Sequence, residues 1–242
     1  MPAQGGISRV RRRRPHPVPT IPGRGTSVTA SSTSTPPVPG GASARPKRRI
    51  VWRWRVVDIV VAAVLGVALG FVFLAWNVGY TAPKTLIEPL LPGLQGLLNG
   101  PWLLAGVIGG LVIRKPGAAI FTEVVAAVVS ALVGNQWGGL PTIEAGLVQG
   151  LGAELVLLVF LYSGRLPVAI LAGAGAGVAG AINDLVFYYA GSGAPFSISY
   201  VVSSIVSGAV LAGLLGWIIT RALAATGVLN RFAAGRELRA EV

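Results

Sequence analysis

From Val56 to Trp76 the chain runs 21 residues with a single charged side chain, Asp58. As a helix, at 1.5 Å per residue, such a segment is about 30 Å long, the thickness of the hydrocarbon core of a bilayer. A helix apolar on every side has no place on the surface of a soluble domain. Comparable runs recur at about 101–113, 117–133, 142–162, 167–189 and 197–220. The pattern predicts an all-α, polytopic membrane protein, a bundle of six transmembrane helices. Composition agrees, because only 12% of the residues are charged and the mean hydropathy is +0.70, whereas about a quarter of an ordinary soluble domain is charged. The run at 101–113 is short for a span. It either starts below the surface and leaves a recess, or begins earlier through Leu97 and Leu98 with a kink at Pro101. Small residues recur every four positions at Ala62, Gly66 and Gly70, at Ala172, Ala176 and Gly180, and at Ser204, Gly208, Ala212 and Gly216, which permits close helix approach.

Charge divides the chain into parts. Twelve of the 20 Lys and Arg lie in the first 55 residues, and 26 of residues 1–50 are Pro, Gly, Ser or Thr. Such a segment buries too little apolar surface to offset its ordering entropy, so residues 1–50 read as a disordered basic tail. Residues 51–222 form the membrane domain and 223–242 a C-terminal tail. Nineteen of the 20 cations fall on one set of tails and turns and only Lys84 on the other, which puts both termini in the cytoplasm. The positive charge is thereby accounted for by a lipid bilayer, and no nucleic acid is expected. There is no Cys, and His16 is the one His, so a transition-metal site is not expected. No phosphate-binding G-x-x-x-x-G-K-[ST] motif and no Ser-His pair occurs, so the chain reads as a non-enzyme with no cofactor of its own.

Glu123, Glu154 and Asp184 lie inside apolar runs that contain no Lys or Arg. A carboxylate there costs several kcal/mol unless a partner or a wet cavity receives it. Asp58, beside the collar of Arg53, Arg55, Trp52 and Trp54, reads as a helix-terminus or ion-pair residue. With the orientation above, Trp76, Asn77, Trp137, Gln149, Tyr188 and Tyr189 come out near the outer face, with Asn183 and Asp184 close by and Glu154 near mid-depth. Carboxylates, amides and aromatic faces together suit a flat cationic heteroaromatic ring. Glu123, in the cytoplasmic half, serves the pocket floor or a partner contact. The connection 77–100 has the length of a lid. Other readings stay open at this point. A buried Glu can be protonated and bonded to a neighbouring helix, and Trp and Tyr can be interface anchors. Glu123, Glu154 and Asp184 can also form the proton relay of a self-contained cation-coupled transporter, or the chain can be a scaffold with no solute.

Arg114-Lys115-Pro116-Gly117-Ala118-Ala119 with Glu123, then Gln149-Gly150-Leu151-Gly152-Ala153-Glu154, together with Asp58 and Asn99-Gly100-Pro101-Trp102, closely resemble the YkoE family over about residues 52–222. The resemblance implies a substrate-binding S component of an energy-coupling-factor (ECF) importer in a prokaryotic cell membrane. It further implies capture of thiamine or its hydroxymethylpyrimidine precursor from outside, and docking on a transmembrane coupling (T) component that carries two cytoplasmic ATPases, which hydrolyse the ATP. Glu154, Gln149 and Asp184 would then accept hydrogen bonds from the amino group and ring, with Trp137, Tyr188 and Trp76 stacking on it and Asn77 and Glu123 nearby. The face of Ala62, Gly66 and Gly70 would dock on the coupling subunit, or else pack within the bundle.

Overall fold

The computed structural model describes residues 50–241; the expectation of a disordered tail falls on residues outside that range. The elements are α1 (Val56–Gly79), α2 (Thr81–Ile87), two 3₁₀ turns (Leu94–Leu98 and Gly100–Leu103), α3 (Leu104–Ile113), α4 (Ala118–Val133), α5 (Gly139–Val159) and α6 (Leu166–Phe187). There follow α7 (Ala194–Ser207), a π-helical stretch (Gly208–Leu214), α8 (Leu215–Ala225) and α9 (Ala233–Glu241). No strand occurs among the described residues. Four stretches, Val56–Gly79, Gly139–Val159, Leu166–Phe187 and Ala194–Ala225, are long and apolar enough to cross a membrane, and Gly100–Ile113 and Ala118–Val133 are shorter apolar helices.

Helix α3 is the axis of the bundle: every one of its residues is buried, and α1, α4, α5 and α8 pack around it. A short helix in that position has no lipid to face, so it need not be long. Neither expectation for this segment holds as stated: the α-helix starts only at Leu104, after Pro101, and two separate 3₁₀ turns lead into it. The 3₁₀ turns begin before Pro101, which lacks an N–H and so breaks the ladder, and Asn99 sits at the joint.

At its other end α3 stops at Arg114, in the left-handed conformation at φ 53°, and the chain turns through Gly117 at φ 87° into α4. Three contacts fix this turn to the start of α1. The Lys115 ammonium pairs with Asp58, which is fully buried. It also donates to the Arg53 carbonyl at 2.8 Å, and the Trp54 indole donates to the Pro116 carbonyl at 2.9 Å. Asp58 also accepts the Arg55 N–H at 2.7 Å and pairs with its guanidinium at 2.8 Å. The basic and aromatic collar is thus tied to the motif that follows α3.

The small residues act inside the bundle. Ala62, Gly66 and Gly70 face α4: a Cβ on Gly66 would lie 2.7 Å from the Cβ of Val125, and one on Gly70 2.6 Å from that of Val129. The expectation that this face docks on a partner is therefore corrected. It is covered by α4, and its small size serves the α1–α4 contact. Helix α6 is packed on both sides, as its two small-residue rows suggest. A Cβ on Gly152 of α5 would come within 2.5 Å of the Gly175 carbonyl, and one on Gly173 within 2.5 Å of the Gly213 nitrogen in the π-helical stretch. A Gly173→Val change pushes two backbones apart and is expected to cost about 1–3 kcal/mol, read as a lower unfolding midpoint of the detergent-purified chain.

The last residues fold back as well. Leu229, Phe232 and Ala234 are buried, α9 packs on α3 and α8, and Glu237 pairs with Arg114 at 2.5 Å.

Candidate substrate-binding cavity

A cavity of about 420 Å³ opens at the ends of the helices remote from the 114–117 turn. The C-terminal ends of α1, α4 and α6, the N-terminal halves of α5 and α7, α2 and the Asn99–Trp102 joint all contribute to its wall. Its size is that of a site for a small organic molecule.

One wall is aromatic. The Trp102 and Trp137 rings meet edge to face with centroids 5.0 Å apart, and Tyr80 lies 5.0 Å from Trp102 and 5.9 Å from Trp137. Trp102 is held in place by its own polar edge, since its indole N–H donates to Asn77 Oδ1 at 2.7 Å, and Asn77 donates to Ser130 Oγ at 3.0 Å. Burial pushes the Tyr80 phenol well above its ordinary range, so it stays a neutral hydroxyl. The polar wall centres on Asp184. Its Oδ2 accepts from the Tyr200 hydroxyl at 2.6 Å and from Asn99 Nδ2 at 3.4 Å, while Asn99 also donates to Tyr200 and Ser204 at 3.0 Å each. The other oxygen, Oδ1, receives no hydrogen bond from the described residues. Asp184 is thus oriented by one oxygen and left with the other to accept from whatever enters.

Of the residues expected at the site, Asp184, Gln149, Trp137, Tyr188 and Asn77 line the cavity. Three do not. Trp76 donates from its indole to the Leu98 carbonyl at 3.0 Å and lies edge-on to Trp102 at 6.3 Å, so it backs the aromatic wall without facing the space. Glu154 is turned to the start of α4. It accepts from the N–H groups of Gly117 and Ala119 at 2.8 Å each and from the Tyr162 hydroxyl. Glu123 is fully buried and accepts from the N–H of Gly106, in the first turn of α3.

The same cause operates in both. The first N–H groups of a helix have no intrahelical partner, and the residues preceding α3 and α4, Leu103 and Gly117, have no side-chain acceptor to offer. In a bundle shielded from water a carboxylate from the neighbouring helix fills that role, favoured by the helix dipole. The acid in each of the two sequence motifs is therefore a helix cap.

Tyr189, placed beside Tyr188 from the sequence, lines it too. Other cavity residues fell outside the expected set: Tyr80, Lys84, Asn99, Trp102 and Tyr200. Asn99 and Trp102 belong to a quoted motif and Tyr80 and Lys84 to the connection expected to form a lid; Tyr200 carried no signal beyond its place in an apolar run. Glu144, near the head of the fourth run, is a further acid within the spans. With its amide turned to suit the network, Asn183 donates to Glu144 at 2.8 Å. Among the described residues no group of three His, Cys, Asp or Glu side chains is placed to hold a metal ion.

Comparison with known proteins agrees with this geometry. Residues 57–179 match the family described as the permease component of ABC-type cobalt transport systems. The chain is 40% identical over 193 residues to YkoE of Bacillus subtilis (strain 168), which bears the name of an HMP/thiamine permease protein, with 77% of this chain and 92% of that one covered. It also matches a crystal structure of an S component of an ECF transporter with a TM-score of 0.70 and 38% identity, over 78% of this chain and 95% of the other. The chain is a member of the YkoE family of ECF transporter S components.

Proposed function

We propose that this chain captures thiamine or its hydroxymethylpyrimidine precursor from the outer face of the cell membrane and passes it inward through a T component driven by two ATPases. In this reading six helices, including the short α3 and α4, cross the membrane and both termini are cytoplasmic. The carrying observation is the pairing, in one cavity, of a carboxylate with an open oxygen and a wall of three aromatic rings. An aminopyrimidine presents an exocyclic amino group that can donate to Asp184 Oδ1 and a π-face for Tyr80, Trp102 and Trp137. A metal cargo suits the cavity poorly, because it offers one carboxylate and no imidazole or thiolate. The name borne by the B. subtilis relative points the same way.

A proton relay through Glu123, Glu154 and Asp184 is disfavoured, since two of the three cap different helices and no chain of hydrogen bonds among the described residues joins them.

Calorimetry of the purified chain with thiamine and with hydroxymethylpyrimidine tests the reading directly. Saturable binding of at least one is expected, and Trp102→Ala should weaken it by about 1–2 kcal/mol, the loss of one stacking wall. Absence of binding by both compounds would refute the assignment.

A further inference from the structure

The cavity holds a charge that recognition of an aminopyrimidine ring leaves idle. Lys84, on α2, lines it. Its Nζ lies 5.9 Å from the centroid of the Tyr80 ring, and it takes part in none of the salt bridges among the described residues. Lys84 is also the one cation among 20 that falls on the side of the chain opposite the others. In a lipid-bounded recess an ammonium with no carboxylate partner makes a purely cationic guest less favourable and an anionic group more so. Lysine suits this as a compact, flexible point charge of the kind that binds phosphate.

Two further features fit an added group on the guest. Helix α2 buries none of its residues, so a small shift that brings Lys84 onto a guest takes no α2 side chain out of the core. Thr81 and Gln136, both lining the cavity, add polar groups that tolerate an anion.

We propose that the cavity accepts a phosphate monoester of the aminopyrimidine class, with Lys84 recognising the phosphate while Asp184 and the aromatic wall hold the ring. This rests on the functional reading above and names a wider substrate class for the same site.

The test is calorimetry of the full chain with thiamine and with thiamine monophosphate, at low and at high salt. Wild-type protein should bind the monophosphate at least about tenfold more tightly, the scale of one charge-assisted hydrogen bond, and the advantage should shrink as salt screens it. Lys84→Met should bring the ratio of the two affinities close to one, and Lys84→Arg should keep most of it. A wild-type ratio at or below one, or a ratio that Lys84→Met leaves intact, overturns the inference while the capture of the unphosphorylated ring stands. Failure of both compounds to bind overturns the functional reading itself.

Discussion

Asp184→Asn is expected to bind thiamine or hydroxymethylpyrimidine about 10- to 150-fold more weakly than wild type, equivalent to about 1.5–3 kcal/mol, with an almost unchanged unfolding midpoint. The substitution keeps the shape of the side chain and an acceptor for the Tyr200 hydroxyl, which donates to Asp184 at 2.6 Å. It removes the negative charge that strengthens a bond from the ligand to Oδ1, the oxygen that the described residues leave without a donor. Paired calorimetry and thermal unfolding on one preparation separate the two effects. An affinity equal to wild type would mean that the ring sits elsewhere in the cavity.

Glu154→Ala should show the reverse pattern. The Glu154 carboxylate accepts from two backbone N–H groups of the α4 start at 2.8 Å and from Tyr162. Its removal strands those donors, of which the Ala119 N–H is buried. The expected loss is about 3–5 kcal/mol of stability, the cost of breaking a buried charged network. The unfolding midpoint should fall on the order of 10 °C, and Glu154→Gln, which retains one acceptor, should fall less. Ligand affinity of the folded fraction should stay near wild type. Weakened binding with unchanged stability would return Glu154 to the cavity wall.

How much of this was legible beforehand differs by residue. Helix positions followed from apolar run length, because a membrane core fixes what a segment must be. Asp184, Gln149, Trp137, Tyr188 and Asn77 were grouped from depth and polarity, and they line one cavity. Glu123 and Glu154 were recognised as acids that need partners, but sequence could not name the partner. A backbone N–H at the start of the next helix leaves no mark on the composition, and it is the close approach of α3, α4 and α5 that presents it. Counting residues along the run did not show which way Glu154 turns: α5 begins at Gly139 and brings that side chain to the turn after α3. The small-residue faces announced close packing without saying whether the neighbour was inside or outside the chain. Asn99 and Trp102 stood in a recognised motif, but their use in the cavity depends on the break before α3, which Pro101 hinted at and only the fold resolves.

The unburied α2 has a mechanical corollary. Emptying the cavity by drawing α4 away from α5 would uncover Glu154 and the donors it satisfies, at several kcal/mol, whereas moving the short helix takes none of its own side chains out of the core. On the functional reading proposed above, a cargo would enter past α2, the cavity wall whose own side chains carry no part of the core.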